Sequence, residues 1–210
     1  HSRTAPLNHS YEWRNWSGFL AAGVYEATHD REYYAIRNAA ALIDVSPLFK
    51  YEVTGPDALR LVNRVMTRDV RRCAVGQVLY SPWCDEDGKI IDDGTVSRLA
   101  QDRFRITAAD PSGLWFSDCG YGLDAQVRDV SDALASVALQ GPNARRILAA
   151  LAPGRGLEQL KYFRLAEIDL DGTPLTVTRT GYTGDLGYEL WVAPDRAPWL
   201  WDRLMSVGGA

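Results

Sequence analysis

The phrase Lys50-Tyr-Glu-Val-Thr-Gly-Pro-Asp-Ala58 has a second copy, Ser136-Val-Ala-Leu-Gln-Gly-Pro-Asn-Ala144, 86 residues further along the chain. In both, a strand-like run meets Gly-Pro-x-Ala and opens into an amphipathic helix, ending near Met66 in the first copy and near Leu151 in the second. Proline suits the first turn of a helix because the N–H it lacks would go unbonded there anyway. A strand–Gly-Pro-x-Ala–helix unit that occurs twice predicts two structurally related halves. The repeat distance is too long for a stacked solenoid.

Between the copies the chain reads as β-rich. Val78 to Cys84 and Lys89 to Ser97 flank Asp87-Gly88, a strong hairpin signal. Arg103 to Thr107 and Asp124 to Val130 read as further strands, with a short helix near Leu114 to Cys119. After the second copy, Leu165 to Leu170 and Leu175 to Thr180 are joined by Asp171-Gly172, and Arg196 to Met205 reads as a closing helix. Before the first copy, residues 1 to 30 are aromatic and irregular, and Arg31 to Ala41 reads as helix, with Asp44-Val-Ser46 ending the segment. Helices and strands interleave, yet the strands are linked mainly by hairpins. The expected class is therefore α+β with mainly antiparallel sheets.

Composition narrows the function. At 210 residues there is enough chain for a real core, in one large domain or two small ones. A net charge of -4 argues against a general binder of nucleic acid or membrane surfaces. No apolar run approaches the roughly 20 residues of a membrane span, and the start lacks the order of a secretory signal. Cys73, Cys84 and Cys119 have no metal-ligand spacing, so reduced thiols and a cytoplasmic location are expected, with no metal. All three histidines fall within the first 29 residues, and no Ser-His-Asp, Cys-His or zinc-protease arrangement can be assembled. Chemistry must rest on carboxylates, aromatics and a bound cofactor.

Two stretches carry that chemistry. Thr180-Gly-Tyr-Thr-Gly-Asp-Leu-Gly-Tyr-Glu-Leu-Trp-Val192 places three glycines, two tyrosines and Glu189 across a turn that runs into a strand. Glycines let a backbone approach a ligand closely, tyrosines offer flat faces, and a carboxylate suits a planar heterocycle with adjacent N–H donors. A glycine-punctuated hairpin with a solvated glutamate fits the same letters. Asp92 and Asp93 interrupt the apolar run Ile90 to Val96, so alternation on a strand turns one of them toward the core, where a carboxylate needs a partner or a function. An edge strand with both groups in water is the alternative. A calcium loop is excluded, since Ile90 and Val96 stand where it needs Gly and Glu. Tyr80, Trp83, Tyr162 and Phe163 suit an aromatic pocket or ordinary core packing.

Taken in order, Tyr-Tyr-Ala-Ile-Arg (33 to 37), Ile43-Asp-Val-Ser46, Val53-x-Gly-Pro-x-Ala58, Tyr80-Ser, Ile91-Asp-Asp93, Leu139-Gln-Gly-Pro142 and Thr180-Gly-Tyr-Thr-Gly-x-x-Gly-Tyr-Glu-Leu190 form a series. The series resembles the glycine-cleavage T-protein family of folate-binding aminomethyltransferases and related folate-dependent demethylases, over nearly all of residues 10 to 205. The resemblance implies two related α/β domains from a three-domain cloverleaf around a tetrahydrofolate site. Residues 1–53 plus 136–210 would form a discontinuous first folate-binding domain, and 54–135 an inserted second one. The chain stops at Gly208-Gly209-Ala210, before the family's Ala-Arg-Asp segment, so the C-terminal barrel domain is expected to be absent.

By the same resemblance, Glu189 would grip the pterin's N–H donors in a two-pronged, charge-assisted pair. Tyr182 and Tyr80 would enclose the ring, Tyr162 would lie near it, and Asp93 would be the catalytic aspartate. Its implied role is orientation, electrostatic support of developing positive charge and proton relay. The implied reaction moves a one-carbon unit from a donor, such as the lipoyl arm of an H-protein, to tetrahydrofolate. Three positions depart from the family pattern: Pro47 where histidine is usual, Ser97 where tyrosine is common, and Ala108 where asparagine is common. These favour weighing a demethylase of a methyl ether or sulfonium substrate beside the transferase; a non-catalytic folate-binding assembly protein is a third reading.

Overall fold

The two Gly-Pro phrases turn strand into helix by one backbone device. In the computed structural model, which describes residues 2–209, Gly55 and Gly141 have φ of +119° and +127°, a region that side chains rarely enter. A Cβ on either would lie 2.7 Å from a backbone carbonyl, that of Asp124 in the first case and Ala39 in the second. The same two carbonyls accept the next free amides, from Asp57 at 3.0 Å and Asn143 at 2.9 Å. Ala58 and Ala144 then start the helices with no exposed surface, where a larger residue would hold the helix off its sheet.

Along the chain the strands and α-helices are β1 (Trp13–Trp16), β2 (Phe19–Ala22), α1 (Asp30–Asn38), β3 (Ala41–Asp44), β4 (Phe49–Thr54), α2 (Ala58–Val65), β5 (Val78–Cys84), β6 (Ile90–Ala100), β7 (Arg103–Ala108), α3 (Gly113–Cys119), β8 (Gln126–Asp129), β9 (Ala135–Gln140), α4 (Ala144–Leu151), β10 (Leu165–Leu170), β11 (Thr173–Thr178), β12 (Gly187–Val192) and α5 (Ala197–Gly208). One five-stranded sheet has the order β10-β11-β12-β9-β3 and the other β5-β6-β7-β4-β8, while β1 and β2 form a separate hairpin. The central pairings in both sheets are antiparallel, as an α+β class requires. The sheets are built alike. Each Gly-Pro strand, β9 or β4, lies between the last strand of a three-strand run and a short edge strand.

The edge strands break the sequence order. β8 follows α3 and pairs with β4, whereas β3 follows α1 and pairs with β9, from the far side of the intervening chain. The chain accordingly divides into an inserted unit, Leu48–Ala133 with Phe163–Leu165, and a discontinuous unit made of the residues up to Pro47, Leu134–Tyr162 and the chain from Ala166 onward. The observed boundary near Pro47 corrects the expected 53/54. β4 is hydrogen-bonded to β7 and β8 along its length, so it cannot belong with the first residues. Phe163–Leu165 joins the inserted unit because Val78 N–H donates to Phe163 O and Leu165 N–H to Gly76 O, both at 3.0 Å.

Each unit has its own core. In the discontinuous unit, Ile147, Leu148 and Leu151 of α4 and Leu200 and Leu204 of α5 pack on Leu139, Tyr188 and Leu190. In the inserted unit, Leu61, Val62 and Val65 of α2 and Phe116 of α3 pack on Tyr51, Trp83, Phe104 and Ile106. Burying each large side chain contributes about 1.5–3 kcal/mol. Two elements differ from the reading of the letters. The expected helix Arg31 to Ala41 ends at Asn38 and gives way to β3, and the aromatic N-terminal stretch contains the β1–β2 hairpin, turned at Ser17 and Gly18 with φ of +50° and +84°.

Candidate functional site

β12 alternates between two environments. Tyr188 and Leu190 enter the core, while Gly187, Glu189 and Trp191 face the other side of the sheet, where Glu189 lies across from Thr178 on β11 and Ala138 on β9. Only 8% of Glu189 is exposed. Its Oε2 accepts hydrogen bonds from Thr180 Oγ1 at 2.7 Å and Thr178 Oγ1 at 3.3 Å. The two hydroxyls are themselves 2.7 Å apart, and Trp191 Nε1 donates to Thr178 Oγ1 at 3.4 Å. Burial pushes the Glu189 carboxyl above the ordinary range, and the Thr180 and Thr178 bonds pull it only partly back. Among the described residues both bonds to this carboxylate fall on Oε2. A buried acid of this kind gains most from a ligand that donates N–H bonds to its other oxygen.

The loop between β11 and β12 is held at several points. Gln140, wholly buried at the end of β9, donates from Nε2 to Thr180 O at 3.3 Å and Tyr188 O at 3.5 Å, and its Oε1 accepts from Thr183 Oγ1 at 2.9 Å. A Cβ on Gly181 or Gly187 would come within 2.2 Å and 2.1 Å of Gln140 Oε1. Arg37 of α1 pairs with Asp185 and lies 5.3 Å over the Tyr33 ring, which accounts for the Tyr-Tyr-Ala-Ile-Arg motif. Arg179 Nη1 donates to Leu160 O at 3.0 Å and so ties the loop to the segment carrying Tyr162. Tyr162, Arg179, Thr180, Gly181 and Gly187 are among the residues around a cavity of about 300 Å³. The Tyr182 ring is 64% exposed, and its phenol is raised first by desolvation and then by the Glu189 carboxylate.

In the inserted unit the two adjacent aspartates separate. Asp92 lies opposite Trp83 and is buried; its Oδ1 accepts from Asp93 N–H at 2.7 Å, and its Oδ2 from Ala109 and Asp110 N–H at 3.0 and 2.9 Å. It is the core-facing carboxylate, and backbone amides satisfy it. Asp93 is exposed and lies on the opposite face of the sheet, diagonal to Tyr80, whose phenol is raised by its hydrogen bond to Asp93 and by that group's charge. On the same face Thr95 and Thr107 hydroxyls are 2.5 Å apart. Of the departures from the family pattern, Ser97 is buried on this face, and Ala108 belongs to the core of the inserted unit.

Glu189, Tyr182 and Tyr162 thus lie in the discontinuous unit, and Asp93 and Tyr80 in the inserted one. The letters did not single out Thr178, Thr180 or Gln140 as site residues. Thr178 had no signal beyond the alternation Thr178-x-Thr180, while Thr180 and Gln140 appeared only within the quoted motifs.

The GCVT N-terminal domain matches residues 2–210. This chain belongs to the GCVT N-terminal domain family. Within that family's relatives, an aminomethyltransferase of Halothermothrix orenii is 39% identical over 182 residues, covering 84% of this chain and 50% of that protein. A trimethylamine-oxide aldolase of Ruegeria pomeroyi is 38% identical over 206 residues, covering 93% of this chain and 26% of that protein. The GCVT chain also superposes on the crystal structure of the glycine cleavage system aminomethyltransferase T from Bartonella henselae with a TM-score of 0.84 and 25% identity, over 97% of this chain and 55% of that one. The chain therefore spans about half the length of the aminomethyltransferases it matches, and the resemblance read from the seven motifs is a family relationship.

Proposed function

We propose that this chain carries the folate-binding part of a tetrahydrofolate-dependent one-carbon transferase of aminomethyltransferase type. The observation that carries the reading is the buried Glu189 carboxylate, held on one oxygen by Thr180 and Thr178. A pterin edge, with an amino group and a ring N–H side by side, has the donors this acid lacks. Tetrahydrofolate supplies, when bound, the nucleophilic nitrogens that receive the one-carbon unit. Within the discontinuous unit, Glu189 would accept two N–H bonds, Tyr182 would offer a ring face, and Tyr162 would flank the heterocycle. In the inserted unit, Asp93 is the match to the family's catalytic aspartate, a group suited to support developing positive charge and relay a proton, and Tyr80 is its hydrogen-bond partner.

Titration of the protein with 5-formyltetrahydrofolate by calorimetry tests the reading. One equivalent should bind, and Glu189→Ala should abolish measurable affinity; equal binding by both proteins would overturn the site. The donor in the favoured reading is an aminomethyl group on the lipoyl arm of an H-protein. The relative named trimethylamine-oxide aldolase, with Pro47 and Ser97, favours a second reading in which the donor is a methylated small molecule. Ammonia release that requires the lipoyl protein supports the first, and one-carbon transfer without it the second.

A further inference from the structure

We infer that Gln140 is a positioning residue: its buried carboxamide fastens the loop from Thr180 to Gly187 so that Tyr182 and Glu189 are presented together. The inference rests on the proposed folate reading and goes beyond it to a residue that would not touch the ligand.

Gln140 ends β9, and its backbone is already paired with Gly187. The side chain then folds under the loop and closes three bonds, two to carbonyls at the loop's ends, Thr180 and Tyr188, and one from Thr183 in its middle. A carboxamide is the right group for this place, because the site presents two acceptors and one donor to a single side chain. A carboxylate would meet the two carbonyls with like charge, and an apolar side chain would leave them unbonded.

The glycines follow from the same side chain. Added Cβ atoms at Gly181 and Gly187 would collide with the Gln140 amide, at distances that no real contact allows. Two of the three glycines in the loop are therefore required by Gln140 rather than by ligand approach. Gly141 N–H donates to Leu186 O at 2.7 Å and locks the next position. From outside, Arg37 pairs with Asp185. The loop is gripped from two sides, with Tyr182 left projecting and Thr180 held at Glu189.

The test uses the whole chain with three changes: Gln140→Met, which keeps volume but loses the bonds, Thr183→Val, which removes one bond at a half-buried position, and Gly187→Ala. Two readouts are taken, 5-formyltetrahydrofolate affinity and hydrogen exchange of the amides from Gly181 to Gly187. Gln140→Met should weaken binding about tenfold or more and speed loop exchange, with Thr183→Val giving a smaller effect of the same kind. Gly187→Ala should impair the wild-type background yet cost little more in Gln140→Ala, where the space is vacant, a coupling that a merely structural pair far from the ligand would not transmit to affinity. Unchanged affinity and loop exchange in Gln140→Met, or strictly additive effects of Gly187→Ala and Gln140→Ala, would overturn the inference. If the unaltered protein binds no folate, the functional reading fails, while loop exchange still decides the role of Gln140.

Discussion

Replacing Glu189 with glutamine should make the protein more stable and a poorer binder at the same time. In the folded chain the carboxyl is raised above its ordinary range, chiefly by burial, so its ionised form is held at a cost. For a group raised on folding, stability is fullest below the unfolded carboxyl range, near pH 4, and is lost as pH rises through the folded value. Glutamine carries no charge at any pH, and its carbonyl can still accept from Thr180 and Thr178. The variant should therefore melt with the wild type at low pH and above it at neutral pH. Binding moves the other way. The carboxylate would contribute charge-assisted bonds of about 1.5–3 kcal/mol each, whereas the glutamine NH₂ would face the ligand's own donors. With one oxygen already engaged by the threonines, a loss of about 2–4 kcal/mol is expected, or roughly 30- to 1,000-fold in affinity. Thermal melts from pH 4 to pH 8, beside calorimetric titration with 5-formyltetrahydrofolate, give both quantities. A variant that binds within threefold of wild type, or that is destabilised more at pH 8 than at pH 4, would refute the argument.

Asp92 and Asp93 should respond oppositely to alanine. Asp92→Ala strips the acceptor from three backbone amides and should lose about 3 kcal/mol in urea unfolding, while Asp93→Ala should stay within about 0.5 kcal/mol. Asp93→Asn should retain folate affinity, lose turnover in an aminomethyl-transfer assay, and lower the Tyr80 phenol toward its ordinary value in an ultraviolet phenolate titration. Cellular function retained by Asp93→Asn despite lost turnover would instead favour a non-catalytic folate-binding role. Gly141→Ala should cost about 2–4 kcal/mol by chemical denaturation, because the added Cβ meets the carbonyl of Ala39 and the backbone has positive φ.

Much of this architecture was legible in the letters, and the failures have physical causes. Gly-Pro-x-Ala was readable because the device is local: one glycine conformation, one carbonyl and a small residue at the helix start. The Asp-Gly turns marked their hairpins for the same reason. β3 was hidden because only Ala39 and Ala40 separate it from α1, with neither glycine nor proline to mark the change. The unit boundary was misplaced because the pairing of β4 with β7 and β8 is a long-range fact. At the candidate site, Glu189 stood out by its surrounding pattern, whereas Thr178 and Thr180 look ordinary until the fold brings both hydroxyls to one carboxylate oxygen, and Gln140 until its side chain is seen bonded to Thr180, Thr183 and Tyr188. Asp93 and Asp92 could not be told apart by letter; strand alternation and the three amides around Asp92 separate them.

The antiparallel pairing of β4 with β8, Tyr51 across from Asp129, places the entry and exit of the inserted unit side by side. Strand β3 must find β9 across roughly 90 residues of chain, as Val45 N–H does in reaching Ser136 O. Once the inserted unit has formed, that distance shrinks to a short tether, which reduces the closure entropy by about 2 kcal/mol. Forming the inserted unit thereby favours the closing of β3 onto β9. A defect confined to the β4–β8 seam would slow the closing of β3 onto β9 without touching a single contact of the Glu189 sheet.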